Sequence, residues 1–155
     1  MAEHPNPLLQ APSVRAEMLI RRPAAQVYQA FVDPAITTRF WFSRASGPLQ
    51  MGSTVTWYWD QYGVSAPAQV DALQANRLIR LRWPLPVEWQ FDDLGDNTTM
   101  TTINASGFRP DDDGVAQAID NMGGFMLVLA GCKAWLEHGI ALHLVSDKAP
   151  YAHVR

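Results

Sequence analysis

The sequence predicts an α+β protein in which a curved antiparallel sheet of about six strands wraps around one long C-terminal helix. Two observations support this prediction. The candidate elements follow the order strand, two short helices, five strands and one long helix, and short loops between consecutive strands favour antiparallel neighbours. Alternating aromatic residues also give several strands one strongly apolar face, which needs a covering layer.

One strand and two short helices open the fold. Residues 13–20 alternate charged side chains with small or apolar ones, as a half-buried strand does. Pro23 suits the first turn of the helix that follows, and Asp33-Pro34 ends that helix. Asp33 can then cap a second short helix, ahead of the aromatic run Phe40-Trp41-Phe42.

Five further strands follow, separated by Gly, Pro and Asn residues of the kind that form hairpin loops. They cover about residues 54–60, 65–73, 77–83, 86–92 and 98–108. Side chains two residues apart on a strand share a face, so Trp57 and Trp59 point one way, and Trp89 and Phe91 point one way. We expect all four side chains to face the long helix, where such rings either fill a core or line a cavity.

The long helix covers about residues 115–138, between the acidic run Asp111-Asp112-Asp113 and Gly139, which is a natural C-cap residue. Gly123-Gly124 lies in its middle, where missing side chains let another group approach closely. The predicted apolar stripe consists of Ile119, Met122, Phe125 or Met126, Leu129, Cys132 or Lys133, and Leu136.

Composition excludes several classes of protein. Apolar residues make up 48% of the 155 residues and charged residues 17%, as in a globular domain with a sparsely charged surface. The net charge of −3 and the scattered basic residues argue against a nucleic-acid surface. The single cysteine, Cys132, excludes an intrachain disulfide and a Cys-rich zinc site, and its apolar setting favours a buried, inert thiol.

One domain over residues 13–143 is expected, with flexible or extended tails at residues 1–12 and 144–155. No apolar stretch reaches the length of a membrane span, so no span is expected. The N-terminus lacks the basic and apolar regions of a signal peptide. These features predict a cytoplasmic protein.

Six segments of the chain follow one another in a recognisable order and spacing. They are residues 27–34, Arg39-Phe40-Trp41, Gly52, Ser106-Gly107-Phe108, Gly124-Phe125 and residues 129–137, which include Lys133 and Glu137. Together these segments resemble the START-like (SRPBCC) superfamily, in the branch named for the activator of the heat-shock protein 90 ATPase, over about residues 13–138. The resemblance implies a helix-grip (Bet v 1-like) fold with a hydrophobic tunnel under the long helix.

The family implies no single activity, because its members include lipid and hormone binders, polyketide cyclases or aromatases, and co-chaperones. Two positions depart from the family pattern. Ala105 stands where a His or Gln often precedes Ser-Gly-Phe, and Phe40 replaces the first tryptophan of the Arg-Trp-Trp motif. Both changes make the expected cavity more apolar and weaken any inference of catalysis.

We expect the ligand-binding residues to lie between the curved sheet and the long helix. Arg39, Arg80 and Arg82 are candidate cations at the rim, although Arg80 and Arg82 could instead lie on a solvent-facing side of their strand. No catalytic, metal-ligand or cofactor-binding motif occurs, so no catalytic residue, metal or cofactor is expected. The candidate ligand-binding residues are Trp41, Trp57, Trp59, Trp83, Trp89, Phe91, Thr102, Asn104, Phe125 and Leu129.

Three functions fit these observations. The first is the binding of a small hydrophobic or aromatic ligand under the long helix. The second is an enzyme resembling a polyketide cyclase or aromatase, in which a few polar groups move protons. The third is a chaperone-associated or stress-response protein, which only the name of the family suggests. The expected partners are a small hydrophobic molecule and, in a homodimer, a second copy of the chain.

Overall fold

One seven-stranded sheet forms the frame of the protein. The computed structural model describes residues 10–150, so most of the predicted N-terminal tail and the end of the C-terminal one lie outside the described residues. The strands are β1 Val14–Ile20, β2 Arg44–Ala45, β3 Thr54–Trp59, β4 Val64–Gln74, β5 Leu78–Trp83, β6 Leu85–Gly95 and β7 Thr98–Ala105. Their order in the sheet is β1-β7-β6-β5-β4-β3-β2, and all neighbours are antiparallel. The predicted sheet is confirmed, with β2 as an additional two-residue strand.

The helices begin and end where their capping residues require. The Asp33 carboxylate accepts a hydrogen bond from the Ala35 amide at 2.9 Å and caps α2. The Asp111 carboxylate does the same for α3, accepting from the Gly114 amide at 2.8 Å. Gly139 ends α3 in the left-handed conformation, with φ of 66°. The helices are α1 Ala24–Val32, α2 Pro34–Thr37, α3 Asp112–His138 and α4 Leu144–Lys148, with a 3-10 turn at Asp60–Tyr62.

Strand register divides the sheet into two faces. Residues directly opposite each other on neighbouring strands share a face. Ile79, Trp89 and Ile103 are paired in this way across β5, β6 and β7, and all three are buried. The Trp89 ring lies 6.2 Å from that of Phe125 on α3, measured between centroids. We therefore call this the inner face, because α3 covers it, and we call the opposite side the outer face.

Trp57, Trp59, Trp89 and Phe91 all lie on the inner face, and each is at most 8% exposed. Phe42 stacks on Trp57 at 4.9 Å between centroids, and Trp59 stacks on Trp83 at 5.7 Å. These distances lie in the range of favourable aromatic pairs. The aromatic side chains of the strands therefore pack mainly against one another and form a dense core.

Two polar atoms are buried in this core without a hydrogen-bond partner among residues 10–150. They are the indole nitrogen of Trp89 and the hydroxyl of Thr101. Thr99, two residues earlier on β7, is equally buried, but its hydroxyl donates to the Arg22 carbonyl at 2.8 Å. An unpaired buried polar group costs free energy, so Thr101 destabilises the folded state where Thr99 stabilises it.

The C-terminal end of α3 is tied to the turn after β1 by a buried carboxylate. Glu137, whose side chain is 7% exposed, accepts hydrogen bonds from the Arg21 amide at 2.8 Å and the Lys133 ammonium at 2.7 Å. Lys133 also donates to the Leu19 carbonyl at 2.7 Å. Burial tends to raise the pKa of Glu137, but these donors outweigh it, so the pKa lies below its ordinary value.

Gly131 lets α3 lie directly against the segment that follows α2. A Cβ atom at this position would lie 3.1 Å from Cβ of Phe40 and 3.3 Å from its carbonyl oxygen. Both separations are shorter than ordinary van der Waals contact, so a larger residue here would require α3 or Phe40 to move by a few tenths of an ångström. The Phe40 contact therefore fixes the height of α3 above the inner face.

The predicted apolar stripe of α3 is correct in its C-terminal half and wrong in its N-terminal half. Ile119 is 67% exposed and Met122 is 38% exposed. The first turns instead bury Gly114 and Ala118, because α3 begins so close to Arg109 that a side chain on Gly114 would clash with its carbonyl oxygen. The buried face of these first turns consists of small residues, which a search for large apolar side chains does not detect.

The expectation that no stretch is long and apolar enough for a membrane span is wrong for α3. By length and composition alone, α3 could cross a membrane, because it has 27 residues and contains an 18-residue stretch with a mean hydropathy of 1.3. Helices that cover the cores of globular proteins can be equally long and apolar. Phe125, Leu129 and Cys132 of α3 are buried against the rest of the fold, which is the arrangement of such a core helix.

Replacing Glu137 by Gln should lower the free energy of unfolding by about 2 kcal/mol at pH 7, because the hydrogen bonds from the Arg21 amide and the Lys133 ammonium both lose a charged acceptor. The folded-state pKa is depressed, so this stabilisation is present above the unfolded-state pKa of about 4.3 and is lost as the pH falls through the lower folded value. Urea denaturation from pH 7 to pH 3 measures the difference. Glu17→Gln, at an exposed ion pair with Arg15, is the control and should change stability by less than about 0.5 kcal/mol. A Glu137→Gln loss that persists undiminished at pH 3 would contradict the argument.

Thr101→Val should raise the free energy of unfolding by about 1 kcal/mol, because it replaces an unpaired buried hydroxyl by a methyl group of similar size. Thr99→Val is the matched control on the same strand and should lower it by about the same amount, since its hydroxyl is hydrogen-bonded. Chemical denaturation of both variants tests the pair. Loss of stability in both would show that the Thr101 hydroxyl has a partner in solution.

Candidate functional site

A pocket of about 340 Å³ opens at the middle of α3, where α3, α4 and two tryptophans meet. Most of the side chains that line it are apolar, and three polar ones lie among them. The lining residues are Trp41, Trp83, Asp120, Asn121, Gly124, Phe125, Leu127, Val128, Val145 and Lys148. The pocket therefore combines an apolar interior with a polar edge formed by Asp120, Asn121 and Lys148.

Gly124 leaves room for this pocket. A Cβ atom on Gly124 would have no atom within 4 Å, so the space beside it is open. Trp83 lies across that space and is only partly buried, with its ring edge-on to Trp41 at 5.6 Å between centroids. Rigid rings on the sheet side and a missing side chain on the helix side together create the cavity.

The deeper part of the inner face is filled. A gap lined by Phe31, Trp41, Trp57 and Trp89, among others, is too small for a water-sized sphere. Trp41 borders both this gap and the pocket. Phe125, which lines the pocket, packs against Trp83 at 6.4 Å and against Trp89 at 6.2 Å between centroids. A bound molecule would therefore rest against Phe125.

Of the ten candidate ligand-binding residues, the structure brings Trp41, Trp83 and Phe125 to the pocket. Trp57, Trp59, Trp89, Phe91 and Leu129 belong to the buried core instead. The physical reason is that large rings on neighbouring strands fill the inner face by packing on one another. The open space lies at the edge of the aromatic cluster, where α3 lacks side chains.

Thr102 and Asn104 lie on the outer face, and the expectation that they line the cavity is wrong. Thr102 is paired with Gln90 and Asn104 with Glu88, while Ile103 between them is paired with Trp89. Successive side chains of a strand alternate in direction, so the two polar residues must point away from α3. Sequence alternation alone leaves the choice of face open.

The predicted rim cations also lie elsewhere. Arg80 and Arg82 are on the outer face, where Arg80 pairs with Glu88 at 2.9 Å and Arg82 with Asp71 at 2.9 Å. The hydrogen bond to Asp71 raises the pKa of the Arg82 guanidinium above its usual value. Both arginines therefore belong to exposed ion pairs, the alternative that the sequence left open.

Arg39, the third predicted rim cation, makes an aromatic contact with α3. Its guanidinium lies over Trp135 of α3, 5.3 Å from the ring centroid. It also borders a second, more polar pocket of about 280 Å³, on the other side of Trp41 and Val145. Arg39 thus lies beside the pocket at the middle of α3 and does not line it.

Helix α4 was missed by sequence reasoning, which assigned residues 144–155 to a tail. Val145 and Lys148 of this helix form one wall of the pocket. The Tyr62 hydroxyl donates to the Val145 carbonyl at 3.2 Å and holds α4 in place. A helix of five residues is too short to show a periodic apolar pattern, so only the apolar pair Leu144-Val145 could have signalled it.

Few titratable groups lie near the pocket in the described part of the chain. Burial raises the pKa of the Cys132 thiol far above its usual value, and the resulting neutral thiol is a poor nucleophile. Within residues 10–150, no three His, Cys, Asp or Glu side chains come together as a metal site requires. Asp120 and Lys148 are the charged groups of the pocket, and Asp120 is 82% exposed.

Known structures share this architecture. The protein SSP2350 from Staphylococcus saprophyticus is 28% identical, with a TM-score of 0.77 over 84% of this chain and 96% of that one. DynU16, from the dynemicin biosynthetic locus, is 20% identical with a TM-score of 0.73, over 83% of this chain and 48% of that one. The Aha1 dimer from Colwellia psychrerythraea is 18% identical with a TM-score of 0.72, and the match covers 83% of this chain and 98% of that one.

Among curated proteins, none matches this chain in sequence. Residues 21–132, which run from the end of β1 into the buried half of α3, match the family described as Activator of Hsp90 ATPase homolog 1-like protein. This match includes the segments that carried the resemblance to the START-like superfamily, apart from the last residues of α3. The chain therefore belongs to the Activator of Hsp90 ATPase homolog 1-like family, within the START-like superfamily.

Proposed function

We propose that the protein binds a small hydrophobic or aromatic molecule in the pocket between α3 and α4. The observation that carries this proposal is the apolar interior built by Trp41, Trp83, Phe125 and Val128 around an open space. Removing an apolar surface from water contributes about 25 cal/mol per Å², so such walls favour a ligand that buries rings or alkyl groups.

The dimensions of the pocket support a compact ligand. Its volume of about 340 Å³ lies near the lower end of the usual range for small-molecule sites. The rigid floor of Trp41 and Trp83 favours a flat molecule that can lie against an aromatic face. Shape and burial would then select the ligand, with the polar edge fixing its orientation.

An enzyme resembling a polyketide cyclase or aromatase is the second candidate. One similar structure, DynU16, comes from a biosynthetic locus. Asp120 and Lys148 could move protons, but both are substantially exposed, and general acid–base catalysis is most effective when pKa values are tuned by burial. These exposed groups favour binding over catalysis.

A chaperone-associated or stress-response role rests only on the family name and on the likeness to Aha1 from Colwellia psychrerythraea, a solved dimer. A second copy of this chain is a proposed partner on the same ground. We place the protein in the cytoplasm, where the free thiol of Cys132 would stay reduced.

Gly124→Leu should abolish binding of the neutral fluorophore 1-anilinonaphthalene, because the new side chain fills the space beside Trp83. With the wild-type chain, fluorescence of this probe should rise on titration, whereas the variant should bind at least about tenfold more weakly, a loss of about 1.4 kcal/mol.

Ala116→Leu is the matched control, because Ala116 is exposed on α3 outside the pocket and should leave the titration unchanged. Thermal unfolding of both variants reports whether they fold. A folded Gly124→Leu variant that binds the probe as tightly as wild type would refute the proposed site.

A further inference from the structure

We infer that the ligand is an apolar acid, with a hydrophobic body in the pocket and a carboxylate bound by the ammonium group of Lys148. This inference rests on the proposed function and adds the chemical class of the ligand. It follows from the contacts that Lys148 makes, and from those that it does not make, at the edge of the pocket.

Lys148 is held close to the pocket with only a weak partner. Its Nζ atom lies 3.8 Å from Oδ1 of Asp120, which is beyond hydrogen-bond distance. Among residues 10–150, no other carboxylate pairs with it. An ammonium group has three donors, and those of Lys148 therefore remain available to a ligand.

The partner can release Lys148 at little cost. The Asp120 side chain is 82% exposed, so water solvates its carboxylate whether or not the ammonium group is near. The Lys148 side chain is 47% exposed, so the pocket shields it from water more than it shields the Asp120 side chain. Exposed ion pairs contribute at most about 1 kcal/mol, so a ligand carboxylate that is partly sheltered by the pocket can displace Asp120.

The ammonium group lies against α3 at Gly123. A Cβ atom on Gly123 would lie 3.6 Å from Nζ of Lys148, which is an ordinary van der Waals distance. The cation at the edge and the apolar space beside Gly124 are therefore neighbours on α3. A ligand with a charged end and an apolar body matches both.

The pocket lining disfavours a cationic ligand. Trp41 and Trp83 could attract a cation through their ring faces, but the fixed ammonium group of Lys148 in the same pocket would repel it. Asn121 is engaged through its side-chain amide, which donates to the Gln117 carbonyl at 2.8 Å. Lys148 is therefore the one strong donor that lines the pocket within the described part of the chain.

Isothermal titration with two probes tests the inference. They are 2-naphthoate and 2-naphthamide, which have the same aromatic body and differ in the charge of the polar group. Wild type should bind 2-naphthoate about tenfold more tightly, the gain expected from one charge-assisted hydrogen bond. Lys148→Gln should remove this preference and leave 2-naphthamide binding within about twofold.

Asp120→Asn should act in the opposite direction and strengthen 2-naphthoate binding, because it frees Lys148 and removes a neighbouring negative charge. Arg44→Gln, which changes a cation stacked on Tyr58 away from the pocket, should have no effect on either probe. The inference fails if wild type does not prefer the acid, or if Lys148→Gln keeps that preference.

Loss of the acid preference and loss of the binding pocket would give different results. If 2-naphthamide binds and Gly124→Leu abolishes its binding, the proposed function is supported, regardless of the affinity for 2-naphthoate. If neither probe binds, or if Gly124→Leu leaves the binding of both probes unchanged, the pocket is not the site and both proposals fall.

Discussion

The distance between α3 and the sheet determines the rest of this structure. Gly131 lets the helix rest on Phe40, and the buried carboxylate of Glu137 ties its last turns to the end of β1. Because both contacts lie in the C-terminal half of α3, that half is held low over the aromatic core. Toward its N-terminal half the inward positions are glycine and alanine, with Phe125 as the large side chain between the two regions.

This asymmetry explains why an inner face so rich in tryptophan holds a dense core and still leaves a pocket. The rings of β3, β5 and β6 fill the inner face by stacking and edge-to-face contacts with one another, with Phe42 and with Phe125 of α3. Beyond Phe125 the helix offers Gly124, and the ring of Trp83 faces open space. Helix α4 then closes one side, so the cavity sits at the border of the core and not within it.

The sequence was sufficient for the architecture and for part of the site. Proline and aspartate positions predicted both ends of α1 and the start of α2, and Gly139 predicted the end of α3, whose start was expected near residue 115 and lies at Asp112. Strand alternation predicted that Trp57 shares a face with Trp59 and Trp89 with Phe91. It could not choose between the two faces of β7, because Thr101 and Thr102 are equally buried and only the register with β6 separates them. It also missed the pocket wall formed by Val145 and Lys148, since these residues acquire their role through tertiary contacts of a very short helix.

The two edge strands of the sheet affect how the protein behaves in concentrated solution. An edge strand exposes unpaired backbone groups that can recruit a strand from another molecule. Here β2, at one edge, is only two residues long, and β1, at the other, bears the exposed charges of Arg15 and Glu17 along its outer side. Short length and alternating charge are both protections against sheet extension. Any assembly of this chain should therefore use side-chain surfaces, and concentrated solutions should resist fibril formation through these edges.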